Sequence, residues 1–221
     1  MRSHKLCADF LMRFTCVAAT LFALSHAANA ADTTTLSAAQ PTEHSAPLPV
    51  RRIITHDDKD GLSSVLIDGP APNVIGGLTE LWTTGPDPAD HRSTHDRGAL
   101  SKSLNPPQNG TVFRFFQIPP QSRMANLSDA EKRELWAGLF KAMNAPDAQP
   151  DTRRDPGMHR TPTTDYIILL SGQITLVLDK QEVDMRPFDT VIQRGTNHAW
   201  VNKGTEDALL MAVLVDTGQP K

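Results

Sequence analysis

The sequence predicts an all-β domain, a small sandwich or barrel, carrying one surface α-helix. Three observations lead there. From Asp165 onward, short apolar stretches alternate with turn residues at close, regular intervals, as in a sandwich or barrel. One segment alone, beginning at Ser128, has a capping box followed by helical apolar spacing. His159, Thr161, Thr163 and Asp165 share one parity, and in a β-strand residues of one parity face one surface.

Residues 1–30 have the pattern of a secretory signal peptide. Arg2, Lys5 and Arg13 make a basic start, Phe14 to Leu24 is apolar, and Ala28-Asn29-Ala30 supplies small residues for cleavage. The apolar run is too short for a membrane span, and no later run approaches that length. The expected mature chain begins at Ala31 and is secreted or periplasmic. Residues 31–49, rich in Ala, Thr, Ser and Pro, are expected to be a flexible linker. Residues 50–221 form the expected domain. Strand signals run from Val50 to His56, Leu62 to Asp68, Ile75 to Thr84 and Thr111 to Ile118, with Asp60-Gly61 and Asp68-Gly69 as turns. Residues 85–110 are a polar, Pro-containing loop.

In the helix, Ser128 and Glu131 form the capping box. Leu135, Trp136, Leu139, Phe140 and Met143 make one apolar stripe, and Asn144 and Pro146 end it. The remaining strands run over Asp165–Ser171, Gln173–Asp179, Glu182–Met185, Thr190–Gln193, His198–Asn202 and Ala208–Asp216.

Composition excludes several functions. Both cysteines, Cys7 and Cys16, lie in the leader, so the expected mature chain has no disulfide, thiolate metal site or cysteine nucleophile. Loss of the leader moves the formal net charge from −3 to −5. Only isolated pairs such as Arg51-Arg52 and Arg153-Arg154 remain, not the basic footprint of a nucleic-acid binder. His91 and His95 would gather a metal only on a helix, and Pro86, Pro88 and Gly98 place them in a loop. Gly76-Gly77 lacks the context of a phosphate loop, and no Gly-x-Ser-x-Gly elbow is present. Asn109 and Asn126 match glycosylation sequons, which matter only in a eukaryotic host.

The chemistry is concentrated in two stretches. The first carries His159, Thr161, Asp165 and Gly172. The second carries Phe188-Asp189, Gln193, Gly195, His198 and Asn202, with Trp200 on the parity of His198. Together they resemble the two motifs of the cupin superfamily, and more narrowly a single-barrel cupin group with fungal oxidoreductase relatives. Thr161 stands where a second His is usual, Asp165 where Glu is usual, Phe188 in a Gly-Asp turn and Gln193 in place of Pro. The resemblance covers roughly residues 111–216 and implies a cupin β-barrel, often with a metal in its mouth. It also implies a homodimer formed through N-terminal strands.

Two histidines and a carboxylate on one face can hold a divalent metal with open positions. The expected ligands are therefore His159, Asp165 and His198 for Fe, Mn, Ni or Zn, with Thr161, Thr163, Trp200 and Asn202 lining a pocket. One reading is an exported metal-dependent enzyme acting on a small organic acid or cyclic carbonyl compound. The alternative is a metal-free cupin that binds a small molecule in the same pocket, with Trp200 as an apolar wall. A third is a stress or envelope protein whose barrel is mainly structural.

Overall fold

The structure is a computed structural model that describes residues 50–75, 77–87 and 92–218. The expected leader and linker, with Gly76 and His91, lie outside the described residues. Residues 49–221 cluster as one unit. The strands are β1 (Arg51–Asp57), β2 (Ser63–Pro70), β3 (Asn73–Ile75), β4 (Leu78–Thr84) and β5 (Thr111–Ile118), then helix α1 (Asp129–Ala142). There follow β6 (Thr163–Ser171), β7 (Ile174–Leu178), β8 (Glu182–Met185), β9 (Thr190–Arg194), β10 (His198–Val201) and β11 (Ala208–Asp216). The regular elements among the described residues are thus mainly strands, with a single α-helix, as the sequence predicts. No helix among them is long and apolar enough to cross a membrane.

Hydrogen bonding gives three sheets rather than one closed ladder. The order is β3-β4-β5-β11-β6-β9 in the largest, β10-β7-β8 in the second, and β1-β2 in a separate hairpin. The expected closed barrel is therefore a jelly-roll-like pair of facing sheets, and the first two strands do not join it. The reason lies in the alternation. β6 buries Thr163, Asp165, Ile167 and Leu169, and β11 buries Ala208, Leu210, Ala212 and Leu214, one residue in two. Against them the second sheet places Ile174, Leu176, Met185 and Trp200, and one apolar core fills the space between. Gly172 makes the β6–β7 turn at φ 83, and a Cβ there would stand 2.8 Å from Ala208 Cα, so only glycine fits.

Helix α1 forms as its capping box requires. Glu131 N donates to Ser128 Oγ at 3.3 Å, and Ser128 N donates to Glu131 Oε2 at 2.8 Å. Asn144, at φ 51, ends the helix in the left-handed conformation that asparagine tolerates. The stripe packs inward, with Trp136, Leu139, Phe140 and Met143 meeting Ile75, Leu78 and Leu104 in a second apolar cluster. Ser128→Ala should lower stability by about 1 kcal/mol. A denaturation midpoint equal to wild type would show that the cap contributes nothing.

Candidate functional site

His198 begins β10, and His159 lies on the approach to β6. An isolated antiparallel bridge joins them, with His159 N donating to His198 O at 2.8 Å and His198 N to His159 O at 2.9 Å. This backbone pairing sets the two rings 4.3 Å apart, centre to centre. Each ring is also pinned at one nitrogen. His159 Nδ1 is 2.9 Å from Gly157 O, and His198 Nδ1 is 2.9 Å from Thr196 O. A carbonyl can only accept, so Nδ1 carries the proton in both, and a neutral ring keeps a bare lone pair at Nε2. Neither Nε2 bonds to a described residue.

Both rings are held neutral. Burial lowers the pKa of His159, opposed by its bond to Gly157. Burial lowers that of His198 further, and the neighbouring His159 adds to it. Aromatic groups flank them: Phe140 of α1 lies 4.9 Å from His159, and Trp200 meets His198 edge-on at 5.6 Å.

The other expected site residues separate. Thr161 and Thr163 are buried on the expected parity, Thr163 Oγ1 donates to Thr161 Oγ1 at 2.7 Å, and both hydroxyls act on Asp165. Trp200 belongs to the core between the sheets and packs on Phe116. Asn202 is a staple: its Nδ2 donates to Ile118 O and Glu206 O, and its Oδ1 accepts from Gly204 N. With all its polar atoms committed, Asn202 ties the β10–β11 turn to β5 instead of meeting a ligand.

Asp165 is not brought to the histidines as a third donor. Among the described residues, no three His, Cys, Asp or Glu side chains group as a metal site would require. Asp165 sits in a buried polar row on the inner face of the large sheet. A bulge in β4 turns Glu80 inward opposite Arg114 of β5, and Arg114 Nη2 stands 3.1 Å from Glu80 Oε1. Arg114 also donates to Leu104 O and Ser103 O. Burial pushes the Asp165 pKa up to about 6, against the hydroxyls of Thr163 and Thr161 and the charge of Arg114. Burial also raises that of Glu80, against the charge of Arg114.

Several groups here escape a sequence reading. Gly157 and Thr196 act through carbonyls, which no residue type betrays. Gln193 occupies the usual Pro position, and its Nε2 donates to the same Thr196 carbonyl at 3.0 Å, steadying the acceptor of His198. Arg114 had a visible signal, as the one charge inside the apolar run Thr111 to Ile118. His95 remains in a loop, and its neighbour Asp96 instead binds Arg52 and caps the turn at Gly98.

Residues 148–214 match the sequence model of the Cupin_2 family, described as a cupin domain, and the match spans both histidines. The chain carries a cupin domain. Similar proteins include phomopsin biosynthesis cluster protein C' of Diaporthe leptostromiformis. It is 28% identical over 164 residues, covering 69% of this chain and 70% of the relative. A cupin-domain-containing oxidoreductase of Neurospora crassa is 43% identical over 63 residues, 27% of this chain and 32% of that protein. Among solved structures, a Cupin 2 conserved barrel domain protein of Salinispora arenicola is 17% identical with a TM-score of 0.31. It is matched over 48% of this chain and 64% of its own. Within the matched residues, His159 and His198 stand with their rings in contact.

Proposed function

We propose that this cupin domain binds a small organic molecule bearing a hydroxyl or enol O–H, through His159 and His198, without a resident metal. The observation that carries it is the imidazole pair: both Nδ1 atoms are committed to carbonyls, and neither Nε2 lone pair meets a donor among the described residues. Such atoms accept from O–H and repel a carboxylate. Phe140 beside His159 and Trp200 beside His198 supply apolar surface for the rest of such a molecule.

A second reading, a metal-dependent enzyme on a small organic acid or cyclic carbonyl compound, is favoured by the same Nδ1–carbonyl bonds. Metal-ligating histidines are oriented in that way, and two Nε2 atoms suit Fe, Mn, Ni or Zn. The relatives named cupin-domain-containing oxidoreductases support an enzyme. The residues fit this reading incompletely, because Asp165 does not complete the donor set. Under either reading, the leader pattern of residues 1–30 supports export.

Elemental analysis of the purified full chain separates the two, together with calorimetric titration with phenol and benzoate. We expect no stoichiometric metal, binding of phenol over benzoate, and about tenfold weaker binding in His159→Ala and in His198→Ala. Stoichiometric metal that either substitution removes would establish the second reading and end the first. Neither metal nor phenol binding would end both.

A further inference from the structure

The β9 edge of the large sheet combines three features that the folded chain leaves unused. Among the described residues β9 pairs with β6 on one side only, so its other side presents backbone N–H and C=O groups that no described strand uses. It pairs without a bulge and contains no proline, so two of the devices that protect an edge are absent. Ile192 of β9 stands directly opposite Tyr166 of β6, and each is 50% exposed.

The turn leading into β9 adds a stronger sign. Asp189 N donates to Arg186 O at 3.0 Å, and Phe188, at φ 74, occupies the third position. Pro187 before it completes a type II turn, in which that third position calls for glycine. Phenylalanine is strained there, and at 79% exposure it gains almost nothing from burial in its own chain. At the other end of β9, Arg194 is exposed, and its side chain makes no hydrogen bond or ion pair with a described residue.

We propose that β9 pairs antiparallel with β9 of a second copy, across a two-fold axis through Ile192. This register is self-complementary, as a two-fold interface must be. Ile192 meets Ile192 of the second copy, flanked by the two Tyr166 rings, and Thr190 lies opposite Arg194. No like charges face each other across the ladder. Phe188 falls diagonal to Arg194 of the second copy, where a guanidinium over a ring is favourable. The strained exposed ring and the unpaired cation thereby partner each other. The surface is the exposed edge of β9, distinct from the β1–β2 hairpin, while the buried Gln193 of the same strand turns inward to the Thr196 carbonyl.

Sedimentation velocity of the full chain across the micromolar range tests this. The wild type should dimerise. Ile192→Lys sets two like charges at the axis and should weaken the dimer at least about tenfold while the monomer stays folded. Phe188→Gly should also weaken the dimer, yet raise the melting temperature of the dilute monomer by relieving the turn. The two opposite effects distinguish loss of an interface from loss of folding. A wild type that stays monomeric, or a dimer that both variants leave intact, overturns the proposal.

Discussion

Arg114→Met is expected to lower folding stability by about 3–5 kcal/mol, the usual cost of removing one partner from a buried ion pair. Arg114 and Glu80 have almost no exposed side chain, and Arg114 is the cation that both Glu80 and Asp165 face. Methionine fills much of the space but leaves Glu80 buried without its partner. The loss should shrink as pH falls, because Glu80, already raised by burial, can then take up a proton. The double variant Glu80→Leu with Arg114→Met should recover part of the loss, since an apolar pair carries no desolvation penalty. Guanidinium denaturation of the three variants measures it. A drop below about 1 kcal/mol in the single variant would show that the pair is solvated, as surface pairs are.

Asp165→Asn is expected to raise stability at pH 8 by about 2–3 kcal/mol and to remove a pH dependence. The Asp165 pKa rises from 3.8 to about 6 on folding, chiefly by burial. Between those values the folded chain holds a proton that the unfolded chain has released. The resulting stabilisation is full below pH 3.8 and is lost as pH rises through about 6. Asparagine mimics the protonated form at every pH. His159 and His198 act in the opposite sense, since their lowered pKa values favour the folded state only above the ordinary histidine range. The difference between wild type and variant isolates Asp165 from them. Melting curves between pH 4 and pH 8 give the answer, and parallel pH profiles for the two proteins would contradict the burial of a charged Asp165.

The fold was legible because its signals are local. The period-two pattern of β6 and β11, the capping box at Ser128 and the turn at Gly172 each depend on neighbouring residues. Strand limits at β5, β8 and β11 coincide with the sequence expectation for that reason. Closure of the barrel was not legible. It depends on which sheet edges hydrogen-bond, and the β1–β2 hairpin pairs only within itself.

The site divides in the same way. By itself the sequence determined that His159, Thr161, Thr163 and Asp165 share a face, because side-chain parity is a property of the extended backbone. It also singled out His198 as their partner. Tertiary structure alone decided that the two imidazoles meet, through a backbone bridge between segments far apart in the chain. It decided too that Asp165 joins Arg114 and Glu80, and that Asn202 serves a turn. Parity says which face a side chain takes. How far along that face it lies, and what the opposite sheet sets against it, follow from strand register and from the β4 bulge. Those are fixed by pairing between distant strands.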